Sequence, residues 1–230
     1  MMRAGTSFGA GLVVLGAGRG SAELIDLLAD LPDAAQPREV VVVDDRALAG
    51  PVDAVCGVPV VGGLDRVAGY VGRGFVVVSG IAGAGAKDAA GKRKLGVRNA
   101  IAARLALPRE AWATVVHPAA VVSRRAKVGV GVVAYPGAQV HVDAVVGDHV
   151  LLYPNAVVHH DVVVDAGAIL CAGVICAGHV RVGAGSYLGV GTAVRERVAI
   201  GAEALCGMGS VVVADVDAGA TVVGVPARAR

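Results

Sequence analysis

From Val122 to Val212, every sixth residue is aliphatic or small and apolar, without exception. The series runs through Val128, Ala134, Val140, Val146, Leu152, Val158, Val164, Leu170, Cys176, Val182, Leu188, Val194, Ile200 and Cys206. Four residues after each member lies a second series made only of Ala, Val, Ser and Thr, from Ala126 through Ala168 and Thr192 to Val216. A period of six fits neither the 3.6-residue turn of a helix nor a strand meander with irregular connections. A strict short repeat predicts a solenoid, in which each coil covers the apolar edge of the one before. Each hexad would form one side of a triangular prism, so three hexads close a coil. Residues 18 apart then lie above one another at about the 4.8 Å separation of paired strands. The aliphatic residue points inward, and the small one fills a corner where anything larger would overpack. Gly129, Gly147, Gly183, Gly189, Gly201 and Gly207 follow aliphatic positions, where the chain is expected to bend.

The first half has a different pattern. Gly11-Leu12-Val13-Val14-Leu15 reads as a strand, Gly16-Ala17-Gly18-Arg19-Gly20 as a turn, and Ser21 to Leu28 as a helix with Leu24, Ile25, Leu27 and Leu28 on its buried side. A second apolar strand, Glu39 to Val43, ends in Asp44-Asp45, and a third, Gly74 to Val78, runs into Ser79-Gly80. Wholly apolar strands alternating with helices predict a small parallel sheet covered on both faces, an α/β unit of Rossmann-like type. Residues 81–92 read as a loop, Lys92 to Leu107 as a basic-faced helix stopped by Pro108, and Trp112 to Val116 as the link to the first coil. The domains expected are therefore 1–112 and 113–230.

The glycine turn has the spacing G-x-G-x-G, not the G-x-G-x-x-G of dinucleotide-binding folds. Its physics is general: glycines let backbone amides approach a phosphate at a helix N-terminus, where the dipole favours an anion. Asp44, ending the second strand, is placed to accept hydrogen bonds from a ribose or sugar hydroxyl. The same glycines also suit a tight turn with no ligand.

Composition trims the alternatives. The chain is 55% hydrophobic, but mostly as Val and Ala interrupted by Gly and other turn formers, so no membrane span is expected. The run Leu12 to Leu15 ends in glycine-rich sequence and reads as a strand, not a signal peptide. A net charge of +2 is too small to point to nucleic acid. Cys171 and Cys176 lack a matching second pair, which argues against a structural zinc, and cysteines in apolar register imply a reducing, cytoplasmic setting.

Histidine placement carries the chemistry. His117 begins the solenoid, and His141, His149, His159, His160 and His179 lie in it. His141 and His159 are 18 apart, as are Asp143 and Asp161, so His141-x-Asp143 lies under His159-His160-Asp161. An imidazole held by a neighbouring carboxylate suits a general base for an amine or hydroxyl. Histidines meeting across a subunit interface would instead suit a catalytic zinc. Surface histidine without function is the reading favoured for His149 and His179.

The hexapeptide solenoid, His160-Asp161, Gly178 before His179 and the tail Gly224-Val225-Pro226-Ala227-Arg228, together with Gly16 to Gly20 and Asp44-Asp45, resemble the hexapeptide-repeat acetyltransferases of the NeuD/PglD type. These are bacterial enzymes acting on sialic acid or nucleotide-linked amino sugars, and the likeness covers nearly the whole chain. It implies a left-handed parallel β-helix after the Rossmann-like unit, a homotrimer, and acetyl-CoA in grooves between adjacent prisms. His160 would be the general base and Asp161 its orienting partner. Gly178, Val190 and Gly207 would contact acetyl-CoA. The nucleotide-sugar or sugar acceptor would meet Gly16, Gly18, Arg19, Gly20, Asp44, Asp45 and Gly80, with Arg93 as a phosphate partner, and no metal is implied. Departures from the family pattern are the shortened turn with Arg19 in place of histidine, Gly80-Ile81 in place of Gly-Asn, and Ile169 where a second histidine is usual. Two other readings compete: a non-catalytic sugar-nucleotide sensor or scaffold on the same fold, and a γ-type zinc carbonic anhydrase. The N-terminal unit, the Gly-Val-Pro-Ala tail and the lack of a His-x4-His pair speak against the second.

Overall fold

A computed structural model describes residues 8–46, 54–82 and 95–230. Strand β1 (Gly11–Leu15) is apolar throughout and buried at every position. It lies between β2 (Val40–Val43) and β5 (Phe75–Ser79) in a three-stranded parallel sheet, with Leu12 opposite Val40 and Val76. Helix α1 (Arg19–Ala29) buries Ser21, Leu24, Leu27 and Leu28 against it. A two-stranded ribbon, β3 (Ala54–Val55) and β4 (Val58–Pro59), and the short helix α2 (Val67–Gly72) connect β2 to β5.

Helix α3 (Val97–Leu105) is shorter than the Lys92-to-Leu107 helix expected. Gly96 precedes it in the left-handed conformation (φ 71°) and Ala106 ends it in the same region (φ 46°), a geometry that stops helical hydrogen bonding at both ends. Its basic character is not all surface either, because Arg98 points inward and is 3% exposed.

Residues from Val115 onward form a parallel β-solenoid with three faces. Face I carries eight strands, from Val115–Val116 to Arg228–Ala229; face II carries six, from Val121–Val122 to Val211–Val212; face III carries five, from Lys127–Val128 to Ala199–Ile200. Partners are 18 residues apart, as with Gln139 and Val157 or Leu151 and Ile169. The aliphatic series is buried from Ala134 to Val212, and only Val122 and Val128, at the open end with no coil beneath them, are half-buried. Every member of the small series is buried; of its three polar members Ser186 Oγ donates to Gly201 O at 2.8 Å and Thr192 Oγ1 to Gly189 O at 2.8 Å, whereas the Ser210 hydroxyl is buried without a partner.

One detail of the repeat differs from expectation. The left-handed turn residue is not the glycine next to the aliphatic position but the residue three past it: Gly131, Gly137, Asp143, His149, Asn155, Asp161, Gly167 and onward. The glycine directly after the aliphatic residue answers a close approach between coils instead. At Gly147 a Cβ would stand 2.8 Å from Ala166 N of the coil above. Asp161 and His179 therefore occupy strained turn positions, and His160 precedes one of them at the tip of a corner.

The repeat ends by shortening. Ile200 bridges Val216 and Leu205 pairs with Thr221, both 16 apart, and Val222–Val223 then pair antiparallel with Arg228–Ala229 across the last exposed edge. The N-terminal sheet packs against the early coils, its core continuous with the solenoid interior. Arg98 crosses that junction, donating to Ser79 O at 3.0 Å, Ile81 O at 2.8 Å, His149 O at 2.7 Å and Gly131 O at 3.5 Å.

Candidate active site

His160 and Asp161 sit on the corner between faces II and III. His160 Nδ1 lies 2.9 Å from Asp161 Oδ2, with both side chains about half exposed. A proton on Nδ1 would satisfy that contact and leave Nε2 with its lone pair facing outward; this tautomer is assigned from the hydrogen bond. The hydrogen bond with His160, followed by the charges of His179, His160 and Arg125, holds the Asp161 carboxyl below the usual carboxylate range. The imidazole rests on Gly178 of the next coil, where a Cβ would lie 2.6 Å from the ring. The edge of His179 meets the same ring at 5.2 Å and 88°.

One coil below, the expected stacking of His141 under His159 is present, with ring centroids 4.8 Å apart. Burial, then the charges of His141 and His160, push the His159 imidazole down. Asp143 does not serve its neighbouring histidine. Arg125 grips its two carboxylate oxygens at 3.0 and 2.7 Å, so the His-x-Asp of that coil is an ion pair with a spectator imidazole. The sequence places Asp143 and Asp161 alike; the difference lies in Arg125, 18 residues before Asp143.

The three residues assigned to acetyl-CoA do not share one corner. Gly178 seats His160, whereas Val190 (54% exposed) and Gly207 lie on the corner between faces I and II, with exposed Met208 one coil above Val190. Gly207 is covered by Val223, whose Cγ1 would be 2.7 Å from an added Cβ. Ile169 is on face I, buried beside Leu95, Val97 and Arg98, away from the His160 corner. A histidine there would enter an apolar junction.

The residues assigned to the acceptor gather at the carboxyl ends of β1, β2 and β5. Gly18 and Arg19 are exposed at the start of α1. Gly20 and Gly80 have a packing reason of their own, since a Cβ on either would collide with the other strand-to-helix segment at Gly80 O or Ser21. Asp44 proves to be engaged within the protein: Oδ2 accepts the Ala17 N–H at 2.7 Å and Oδ1 the Arg46 N–H at 2.8 Å, and the Arg46 guanidinium grips both oxygens. Burial would raise this carboxyl, but the Arg46 and Ala17 hydrogen bonds outweigh it and bring it to about 2. Asp44 thus latches the glycine turn to β2 and carries Arg46 over Gly18. Asp45 accepts the Leu64 N–H and pairs with Arg104 at 2.7 Å. Arg93 lies outside the described residues. Sequence reasoning missed Arg46, whose signal was its place two residues past Asp44. It also missed a cleft of about 260 Å³ between α1 and the face I–II corner, lined by Glu23, Asp26, Asp30 and the stacked Tyr135 and Tyr153. That cleft does not touch His160, which stands on an open corner.

No protein-family model matches the chain, and no curated protein does. Solved structures do match. The acetyltransferase domain of PglB from Neisseria gonorrhoeae, also solved with acetyl coenzyme A, is 28% identical with a TM-score of 0.79, over 95% of this chain and 98% of that one. A mutant of perosamine N-acetyltransferase from Caulobacter crescentus, solved with CoA and GDP-perosamine, is 29% identical with a TM-score of 0.78, over 96% of each chain. The chain is thus similar over nearly its whole length to an acetyltransferase domain and to a perosamine N-acetyltransferase. WeeI from Acinetobacter baumannii, 19% identical with a TM-score of 0.58, shares the fold.

Proposed function

We propose that the protein transfers an acetyl group from acetyl-CoA to the amino group of a nucleotide-linked sugar, with His160 as general base. The observation that carries this reading is the His160–Asp161 contact of 2.9 Å on an open corner, in a chain that matches sugar N-acetyltransferases end to end. Acetyl-CoA, when bound, supplies a thioester carbonyl open to attack by an amine. His160 Nε2 takes the proton of the attacking nitrogen, Asp161 holds the Nδ1–H and stabilises the imidazolium, and the imidazolium returns the proton to the departing sulfur. A backbone amide near Gly178 would meet the developing oxyanion. Exposed Val190 and Met208 offer apolar footing of the kind a pantetheine arm requires.

In this reading residues 1–112 are a Rossmann-like unit that binds the nucleotide sugar through Gly16, Gly18, Arg19, Gly20, Asp45, Gly80 and Arg93, with Asp44 holding the turn. Residues 113–230 are a left-handed β-helix that binds acetyl-CoA through Gly178, Val190 and Gly207. Two of those three stand on a different corner from His160, which supports a homotrimer in which one protomer's corner faces its neighbour's. The exterior of face II fits such an assembly: Val121 (64% exposed) and Ile175 (44%) lie in line with Val157, Ala193 and Val211, broken only by the uncharged Gln139, whereas the matching row of face III carries Lys127 and Arg181 among Val145, Val163 and Ala199. No helix among the described residues is long and apolar enough to cross a membrane, and Cys171, Cys176 and Cys206 are buried free thiols, which support a cytoplasmic enzyme.

The test is thiol release from acetyl-CoA across UDP-, GDP- and dTDP-linked amino sugars and sialic acid. Turnover with one acceptor supports the transferase. Ligand binding without turnover against the whole panel would favour the sensor or scaffold.

Gly178→Ala tests how the base is seated. The glycine has ordinary dihedrals, so the new Cβ strains nothing in the backbone but must push the half-exposed imidazole aside. A displacement of about 1 Å costs about 10²-fold in rate. The expected result is a loss of that order in kcat/KM with the melting temperature unchanged. Full activity would mean that His160 works from another rotamer.

A further inference from the structure

His160, Asp161 and His179 form a convergence of nitrogen and carboxylate donors: one ligating atom from each lies within 4.8 Å of the others. The repeat puts them there. His160 and Asp161 are consecutive at one corner, and His179 belongs to the coil above, its N–H donating to His160 O at 3.2 Å. Asp161 (φ 58°) and His179 (φ 62°) share the left-handed turn conformation, so both leave the backbone at the same point of the repeat. Strand pairing of Val157–Val158 with Ile175–Cys176 fixes the two coils relative to each other, which leaves side-chain torsions as the remaining freedom.

We infer that this trio binds a divalent first-row transition ion, Zn²⁺ above all, within a single protomer. Two imidazoles and one carboxylate form a borderline donor set that suits zinc, cobalt or nickel and not calcium or magnesium, which take oxygen. Tetrahedral bonds of about 2.0–2.1 Å require donors roughly 3.4 Å apart. The widest pair must therefore close by up to about 1.4 Å, a distance that χ rotations of exposed side chains cover. Gly178, with no side chain beneath the ring, leaves His160 room to pivot. Solvent keeps a fourth coordination position open. The corresponding corner one coil below lacks the third donor, because Arg125 holds both oxygens of Asp143 beside the His141–His159 pair.

Coordination through either ring nitrogen of His160 breaks the arrangement that the acetyl-transfer reading needs, Nδ1–H on Asp161 with Nε2 free, so zinc is an inhibitor of turnover. That consequence rests on the reading above; the binding does not. The experiment is a Zn²⁺ titration of the full chain, stripped with a chelator and free of substrates, in competition with a chromogenic zinc indicator. The expected result is one saturable equivalent per protomer, weakened by at least about tenfold in His179→Ala and in Asp161→Asn and unchanged in His141→Ala. In a parallel assay that follows the thioester absorbance, zinc suppresses turnover and a chelator restores it. No saturable binding, or binding lost with His141→Ala but kept in His179→Ala, would overturn the site. Zinc binding at this trio in a protein that turns over no acceptor would leave the site standing and remove the acetyl-transfer reading alone.

Discussion

Replacing His160 by alanine is expected to lower kcat/KM for thiol release by about 10²–10⁴-fold, the range a positioned general base contributes. In activation free energy that is about 3–5 kcal/mol. Stability should stay within about 0.5 kcal/mol of wild type, because the side chain is half exposed and the coil is held by backbone pairing and inward-facing aliphatics. Acetyl-CoA affinity measured by calorimetry should also be unchanged, since the proposed base acts on the acceptor's proton. The loss should shrink as pH rises and the acceptor amine comes to the site already deprotonated. Asp161→Asn is the milder partner: it keeps an oxygen for the Nδ1–H but removes the charge that stabilises the imidazolium, so an intermediate loss is expected. A fall of less than about tenfold in His160→Ala would mean that positioning alone drives the reaction.

The division between what was legible in the sequence and what was not follows the range of the interactions. The solenoid was legible because each hexad repeats the same local rule, and the 18-residue stacking of His141 under His159 follows from counting. The two-series pattern named its buried positions down to Ser186 and Thr192. The glycines were harder, because a glycine required by a neighbouring coil looks the same in sequence as one required by a positive φ; Gly147 and Gly131 differ only in space. The different fates of Asp143 and Asp161 depended on Arg125 reaching across one coil. Asp44 read as a ligand for a sugar hydroxyl; its hydrogen bonds to Ala17 and Arg46, which latch the glycine turn to β2, were not legible because Arg46 carried no motif. Arg98 gave no sequence signal at all, since a basic residue in a short helix is normally on the outside.

Arg98→Ala should be strongly destabilising, by about 3–5 kcal/mol, because it removes the donor of several buried carbonyls at once. The guanidinium is almost wholly buried and faces no carboxylate; its partners are carbonyls of β5, the segment after it, and two solenoid corners. Burial pushes it down to about 10, so at neutral pH it is charged and every N–H in use is charge-assisted. Because its folded value lies below the 12.5 of the unfolded chain, the group is protonated in both states below about pH 10. Its contribution is therefore flat across the working range and changes only above that. Deleting the side chain leaves buried carbonyl oxygens of Ser79, Ile81 and His149 without their donor, at about 1–3 kcal/mol for each that water cannot reach. For a chain of this length the melting temperature should fall by roughly 6–20 °C. Arg98→Met separates volume from hydrogen bonding: it fills the space but donates nothing, so a loss close to that of alanine would place the stability in the donors. Arg98→Lys should recover part of it, since one ammonium cannot reach four carbonyls that a planar fork spans. Amide exchange should quicken first in α3 and β5, because the arginine ties those elements to the solenoid while the upper coils are held by their own pairing. If the melting temperature of Arg98→Ala stays within a degree or two of wild type, water enters the junction and replaces the arginine, and the two halves are joined by apolar packing alone.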